Sequence, residues 1–186
     1  VAASITPWVI QNIGIIGTGI LAKLTFALLK KKYPKANIYI WGRNLSKATA
    51  IASKKNHVCD SIQELLAKSD LVVTTTSSTS PIVNSCDVFG KKHIIAIGAD
   101  DIHKQECEAV LFQKADLVIV DSLIQGCKFG DVFHAIKLEF HTIKNITELG
   151  NILQINKKLT AEFIITDLTG IAAQDITIVE FILKKL

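Results

Sequence analysis

Two adjacent carboxylates follow an apolar stretch near the middle of the chain. Residues 93–99 read HIIAIGA, and Asp100 and Asp101 come directly after them. A short apolar run of this kind indicates a buried strand, so the two acids should lie where a strand ends and a loop begins. A carboxylate there could transfer protons in a reaction, or it could cap a following helix. The residues alone leave both roles open for Asp100, and we expect Asp101 to face solvent.

A glycine-rich pattern near the start of the chain is a second candidate for chemistry. Residues 17–22 read GTGILA, which fits G-x-G-x-x-[GA] between an apolar strand and an amphipathic helix. The first glycine permits a tight turn, and the second lets a pyrophosphate approach the backbone at the start of the helix. The pattern predicts a dinucleotide site, with a structural glycine turn as the alternative. The residues expected to bind are Gly17, Thr18, Gly19, Ile20 and Leu21.

The turn after the second predicted strand carries a cation where NAD-binding sites usually carry an acid. Residues 40–44 read IWGRN, and they include no Asp or Glu. Arg43 can pair with a 2′-phosphate, and a charged hydrogen bond of this kind would favour NADP over NAD by roughly 10- to 150-fold. We therefore expect Arg43 and Asn44 to contact NADP(H), with NAD(H) possible. In the alternative, Arg43 is a surface residue and NAD is held by backbone groups.

Hydroxyl side chains follow the next predicted strand, in residues 74–81, which read TTTSSTSP. Thr75 and Thr76 could line the cofactor crevice, although an ordinary Ser/Thr loop is the alternative. His103 lies near Asp100 and could be a secondary acid–base group. The four cysteines and five histidines show no metal-ligand spacing, so no metal site is predicted.

Alternating strands and helices must position these residues. Apolar strands are predicted at 13–16, 37–43, 70–74, 93–98, 116–122 and 162–168, with a shorter one at 57–59. Helices are predicted from residue 20, at 46–54, from Asp60 or Ser61 with Glu64 at capping-box spacing, at 131–137, at 147–153 and at 172–186. Continuous Ile, Val and Leu runs are typical of parallel strands covered on both faces. The pattern predicts one α/β domain over residues 1–186, with a doubly wound, mostly parallel sheet of the Rossmann type.

Composition excludes several classes of protein. The 186 residues carry a net charge of +4, and aromatic residues are few and not interleaved with the basic ones, so a nucleic-acid surface is not expected. No apolar run reaches transmembrane length and no signal peptide is recognised. We expect a cytoplasmic protein without a membrane partner. Because the chain starts at Val1 and contains no Met, we expect it to be a piece of a longer protein.

With these residues in view, the sequence resembles the cofactor domain of the ornithine cyclodeaminase/μ-crystallin family. IGIIGTGILA, DLVVTTTSSTSPIV, IIAIGADDIHKQE, VDS with GDVFHAI, and DLTGIAAQDITIVEFIL occur in the family's order and at similar spacing. The resemblance implies that Asp100 is the catalytic acid–base group. It also implies that Gly98, Lys104 and Thr169 lie near the cofactor. Leu168 departs from the pattern, because a Ser is common there.

The resemblance further implies an NAD(P)-dependent oxidoreductase that transfers hydride at the C–N centre of an amino acid or cyclic imine. Ornithine cyclodeaminase, ketimine reductase and alanine dehydrogenase-like reactions remain open, and the Arg43 turn favours the reductase. An NADP-dependent binding protein with little catalysis is the alternative, and an unrelated Rossmann-type reductase is a weaker one. We expect the family's substrate and dimerisation domain to be absent from this chain. This chain is therefore expected to bind cofactor without turnover, and the full-length protein is expected to be a homodimer.

Overall fold

The computed structural model describes residues 1–52, 57–154 and 159–184. Its strands are β1 (Asn12–Ile16), β2 (Asn37–Trp41), β3 (Leu71–Thr74), β4 (Thr79–Val83), β5 (Lys92–Ala96), β6 (Gln105–Cys107), β7 (Leu117–Val120), β8 (Ile146–Glu148) and β9 (Phe163–Asp167). Its α-helices are α1 (Ile20–Lys32), α2 (Leu45–Ala52), α3 (Ile62–Lys68), α4 (Val110–Lys114), α5 (Leu123–Gly126), α6 (Gly130–Lys137), α7 (Leu149–Gln154) and α8 (Ala172–Leu183). Short 3₁₀ helices cover Ala2–Ile5 and Ile143–Asn145.

Seven strands form one sheet in the order β2-β1-β3-β5-β9-β7-β8, and every pairing in it is parallel. The chain runs from β1 through α1 to β2, then returns past β1 to β3, so the direction of winding reverses between β1 and β3. Open parallel sheets form their ligand crevice at the carboxyl edge beside such a reversal. The topology confirms the predicted doubly wound α/β fold.

Both faces of this sheet are buried. On one face Ile13 and Ile15 pack in a cluster that includes Ala22 of α1, and on the other Val72 packs in a cluster that includes Leu65 of α3. All of these side chains are fully buried. Burial on both faces explains why the strands read as continuous apolar runs rather than alternating ones.

A second, two-stranded parallel sheet pairs β4 with β6. The sequence pattern did not predict it, because residues 74–81 look like a loop and Pro81 argues against a strand. The pairing leaves Pro81 between two partnered positions, Thr79 with Gln105 and Val83 with Cys107, where the register shifts. Proline is tolerated at such an irregularity, since no ladder hydrogen bond needs its missing N–H.

Element boundaries correct several other predictions. The helix predicted at 46–54 begins at Leu45, and Asn44 Oδ1 accepts a hydrogen bond of 2.9 Å from Lys47 N at its start. Its predicted last residues, 53 and 54, lie outside the described residues, as do 185 and 186 of the last helix. The helix predicted at 147–153 is a short strand, β8, followed by α7. In the predicted strand at 57–59, Val58 forms only an isolated bridge with Ile40.

The side-chain cap predicted at the start of α3 is present at Ser61. Ser61 Oγ accepts a hydrogen bond of 3.0 Å from Glu64 N, which satisfies an N–H group that the first helical turn leaves unpaired. Glu64 Oε2 accepts a hydrogen bond of 2.8 Å from Asp60 N, one residue before the N-cap, whereas a complete capping box would use Ser61 N.

Helix α8 carries six large apolar side chains that are more than half exposed. Ile176, Ile178, Val179, Phe181, Ile182 and Leu183 are each between 52% and 64% exposed. No helix within residues 1–52, 57–154 and 159–184 has both the length and the hydropathy needed to cross a membrane.

A buried histidine ties the first residues of the chain to the centre of the sheet. His93 is fully buried in β5, where Nδ1 lies 2.8 Å from Thr6 Oγ1 and Nε2 lies 2.8 Å from Thr166 Oγ1. Burial lowers the pKa of His93 to about 3, so the folded protein holds it in the neutral form.

His93 should make the folded state sensitive to acid. Its pKa is about 3 in the folded chain and about 6.5 when unfolded. The unfolded state therefore binds an extra proton between these values, and stability falls as pH drops from about 6.5 towards 3. His93→Gln should flatten the dependence of unfolding free energy on pH by about 1.4 kcal/mol per pH unit in this range. Urea unfolding at pH 4, 5 and 6 measures the slope, with exposed His103→Gln as the control; equal slopes for wild type and His93→Gln would contradict the assignment.

Candidate cofactor site

A cleft opens at the carboxyl edge of the large sheet, where β1, β2 and β3 end. Its volume is about 260 Å³. Seven of the twelve residues predicted to bind the cofactor line it: Gly17, Thr18, Gly19, Arg43, Asn44, Thr75 and Thr76. Trp41, Gly42, Lys47 and Ser77 complete the lining. The cleft therefore lies at the reversal of winding, where the topology places a ligand site.

The first glycine of the pattern is required by backbone geometry. Gly17 has φ of +127°, and a Cβ added there would lie 2.3 Å from Thr75 Oγ1. Gly17 N also donates a 2.8 Å hydrogen bond to Trp41 O, which joins the end of β1 to the end of β2. A side chain at this position would be strained and would collide with the opposite wall of the cleft.

The second glycine leaves space open. Gly19 is the N-cap of α1, and a Cβ added there would meet no atom within 4 Å. The N-terminus of α1 thus faces the cleft with free N–H groups, which suits an anion such as a pyrophosphate. Ile20 and Leu21 form the first turn of this helix, with side chains 80% and 42% exposed.

The rim of the cleft at the end of β2 is positively charged. Arg43 and Lys47 are exposed side chains of the lining, and none of the lining residues is an Asp or Glu. The N-terminus of α2 begins here too, and Asn44 uses its side-chain oxygen to cap it. A helix start carries partial positive charge, so the two cations and the helix act in the same direction.

The wall formed by β3 presents hydroxyl groups. Thr75 Oγ1 donates a 3.0 Å hydrogen bond to Ile16 O, so this hydroxyl joins β3 to β1. Thr76 Oγ1 donates a 2.8 Å hydrogen bond to Glu106 Oε1. Both threonines are part of the cleft, and both hydroxyls already have partners in the protein.

Asp100 lies in the loop after β5, the strand next to β3. Its side chain is 57% exposed, and its Oδ1 accepts a 2.5 Å hydrogen bond from Lys104 Nζ. This ion pair raises the pKa of the Lys104 amine. Asp101 is exposed, as expected, and its Oδ1 accepts a 2.7 Å hydrogen bond from His103 N. Lys104, predicted to lie near the cofactor, is thus the partner of the predicted acid–base residue.

Gly98 and Thr169 stand outside the lining of the cleft. A Cβ at Gly98 would lie 2.1 Å from Thr76 O, so the glycine allows the loops after β3 and β5 to touch. Thr169 follows β9, two strands from β3, and its Oγ1 donates a 3.3 Å hydrogen bond to Asp121 Oδ1. Leu168, where the family pattern has a polar residue, packs against an apolar cluster.

Three carboxyl groups that are buried next to the site were not identified from the sequence. Glu106 in β6, Asp131 in the first turn of α6 and Asp167 at the end of β9 are each no more than 1% exposed. Burial raises the pKa of Glu106 and of Asp167, and it raises the pKa of Asp131 to about 7. No pattern marks them in the sequence, because their partners are distant along the chain. Within the described ranges, no cluster of His, Cys, Asp and Glu could hold a metal ion.

Comparison with known proteins assigns the chain to a family. The model of the ornithine cyclodeaminase/mu-crystallin family matches residues 8–186. The chain belongs to this family. The ordered motifs in the sequence predicted this membership, and the match confirms it.

Individual members of the ornithine cyclodeaminase/mu-crystallin family are longer than this chain. An uncharacterized cyclodeaminase of Sinorhizobium fredii is 29% identical over 175 residues, which are 88% of this chain and 53% of that protein. An alanine dehydrogenase of Archaeoglobus fulgidus is 28% identical over 180 residues, 92% of this chain and 56% of that protein. The crystal structure of iminosuccinate reductase of Paracoccus denitrificans with NAD⁺ superposes with a TM-score of 0.86 at 25% identity, covering 98% of this chain and 60% of that one. The chain thus spans about half the length of these relatives.

The two glycines of the turn should respond differently to alanine. Gly19→Ala has room in the protein alone, so unfolding free energy should change by less than about 1 kcal/mol, while the new methyl group occupies the approach of the pyrophosphate and weakens NADPH binding at least tenfold. Gly17→Ala should lose about 1–3 kcal/mol of stability. Urea unfolding and cofactor-fluorescence titration measure both effects. NADPH affinity unchanged in folded Gly19→Ala would contradict the placement of the pyrophosphate.

Proposed function

We propose that this chain is the cofactor-binding part of an NAD(P)-dependent oxidoreductase that acts at the C–N centre of an amino acid or imine. The observation that carries the proposal is the cleft at the reversal of winding, which gathers the glycine turn, Arg43 and the threonines after β3. The cyclodeaminase, alanine dehydrogenase and iminosuccinate reductase named above support the C–N centre as the point of reaction. When bound, the nicotinamide cofactor supplies or accepts the hydride.

NADP(H) is the cofactor that the charge of the cleft favours. A 2′-phosphate placed near the end of β2 would meet Arg43, Lys47 and the N-terminus of α2, and no carboxylate lies in the lining to repel it. A carboxylate in that turn would instead favour the free ribose hydroxyl of NAD. The Paracoccus relative was crystallised with NAD⁺, so the preference for NADP(H) rests on this chain's own residues.

Asp100 is the group we assign to proton transfer. It follows β5 at the same edge as the cleft, in a solvent-exposed loop where a substrate could reach it. In the reductive direction Asp100 would protonate the nitrogen of the imine, and in the oxidative direction it would take a proton from the amine. Lys104 donates to Asp100 Oδ1 and would hold the carboxylate in place.

The relatives contain residues beyond the part that this chain matches. We propose that residues outside this chain bind the substrate carboxylate and form the homodimer interface. On this proposal the isolated chain binds cofactor without measurable turnover. An NADP-dependent binding protein with little catalysis is the competing function, and the Asp100 variant described below separates the two.

Replacement of Arg43 tests the cofactor preference. Wild-type protein should bind NADPH more tightly than NADH by roughly 10- to 150-fold, the effect of one hydrogen bond between charged groups. Arg43→Gln should lower this ratio at least tenfold by weakening NADPH binding alone. Titrations that follow cofactor fluorescence give both affinities, and exposed Lys91→Gln, far from the cleft, is the control. Tighter binding of NADH by the wild-type chain would contradict the NADP assignment.

Asp100→Asn separates an enzyme from a binding protein. In this chain the substitution should leave NADPH affinity unchanged within twofold, because the side chain lies outside the cleft lining. In the longest product of the gene, NADPH consumption with a cyclic imine should fall by roughly 10²- to 10⁴-fold, the usual effect of losing an acid–base group.

Asp101→Asn is the matched control for this substitution. It should keep both the NADPH affinity and the rate of NADPH consumption of the wild type. Equal NADPH consumption by Asp100→Asn and wild type, measured in the same gene product, would contradict the assigned role and favour the binding protein.

A further inference from the structure

Glu106 is a fully buried carboxylate that the proposed reaction does not use. It lies in the middle of β6, in the small sheet beside the cofactor cleft. Burial of an acidic side chain is costly unless hydrogen-bond donors replace the lost water. A buried Glu at this place therefore needs a set of donors, and the identity of those donors indicates its role.

Four donors surround the Glu106 carboxylate. Oε2 accepts hydrogen bonds from Thr74 Oγ1 at 2.7 Å and from Gly98 N at 2.8 Å. Oε1 accepts hydrogen bonds from Thr76 N at 2.5 Å and from Thr76 Oγ1 at 2.8 Å. Each oxygen thus faces one backbone N–H, which cannot act as an acceptor. A side chain with an accepting oxygen at each of these two positions, such as that of Glu, therefore fits both backbone donors.

The donors belong to two different walls of the site. Thr74 and Thr76 lie at the end of β3, and Thr76 lines the cleft. Gly98 lies in the loop after β5, two residues before Asp100. The last backbone hydrogen bond between the two strand ends joins Ile97 N to Thr74 O at 3.1 Å. Beyond it, the Glu106 carboxylate bridges the backbones of the two loops.

The backbone of Glu106 is itself held by a hydrogen bond to a second buried carboxyl group. Its backbone N donates a 2.8 Å hydrogen bond to Asp131 Oδ1, which also accepts a 3.1 Å bond from Cys107 N. Asp167 Oδ2 in turn accepts a 2.8 Å bond from Val132 N, next to Asp131 in α6. The backbone of Glu106 is thus connected through α6 to β9 of the large sheet.

We propose that Glu106 is a positioning residue, whose carboxylate clamps the loop after β3 to the loop after β5 and so sets the spacing between the cofactor wall at Thr76 and the segment that carries Asp100. This inference rests on the proposed function and adds to it the residue that maintains the shape of the site. Glu106 is not itself part of the cleft lining, and its side chain hydrogen-bonds to Thr76 of the lining and to Gly98, so it acts through the two loops.

Glu106→Gln tests the clamp while keeping the size of the side chain. The amide NH₂ must face either Gly98 N or Thr76 N, and a donor cannot bond to a donor. We expect NADPH affinity to fall at least tenfold and hydrogen exchange of the Gly98 or Thr76 amide to rise at least tenfold. Glu108→Gln is the matched control, because Glu108 also accepts a backbone hydrogen bond, from Ser85 N at 2.6 Å, away from the cleft. It should change neither quantity by more than twofold.

Thr74→Val is the second variant, for the case that Glu106→Gln does not fold. It removes one donor of the clamp from a fully buried position outside the cleft lining, and it should weaken NADPH binding by about two- to fivefold. Wild-type affinity and exchange in folded Glu106→Gln, or in Thr74→Val if the first variant does not fold, would overturn the clamp. Faster exchange with unchanged affinity would also overturn it, because the role would then be structural only. Failure of the wild-type chain to bind NADPH or NADH would instead contradict the proposed function, and the inference with it.

Discussion

Every strand of the large sheet runs in the same direction, and the site depends on this constraint. Because the strands are parallel, their carboxyl ends meet at one edge, and each strand must be followed by a crossover that starts there. The glycine turn, the Arg43 turn, the hydroxyl wall and the Asp100 loop are all segments that leave this edge. Residues far apart in the sequence thus become neighbours because the strands they follow are neighbours in the sheet.

The same edge concentrates three carboxyl groups below the surface. Glu106, Asp131 and Asp167 are all buried, and the mutual repulsion of their carboxylates adds to the effect of burial on the pKa values of Asp131 and Asp167. Backbone N–H groups from β6, α6 and the two loops offset part of this cost. Buried polar groups with directional partners admit fewer alternative arrangements than apolar packing does. Such a layer is suited to holding loops in one geometry.

Local features of the chain could be predicted from the sequence, and long-range ones could not. The turn at Gly17 and the side-chain cap at Ser61 depend on neighbours within a few residues, and both are present in the structure. Glu106 bonds to Thr74 and Thr76, which lie 32 and 30 residues away in the sequence. Its hydrogen bonds therefore could not be predicted from the segment around it, which looks like a polar loop. The β4–β6 pairing was missed for the same reason.

The assignment of Asp100 required a different kind of information. Its position at the end of β5 follows from the apolar run before it, but that position suits a cap as well as an acid–base group. The resemblance to the family is what favours the acid–base role, and the structure adds that Asp100 is paired with Lys104 and remains accessible. Geometry and family pattern thus contribute different parts of the argument.

Helix α8 has a thermodynamic consequence for the whole chain. Burying one large apolar side chain is worth about 1.5–3 kcal/mol, and six such side chains of this helix remain more than half exposed to water. Covering this helix with another apolar surface would therefore stabilise the covered state by several kcal/mol. The free energy of unfolding of the chain alone is therefore smaller than the free energy of unfolding of the same chain with α8 covered.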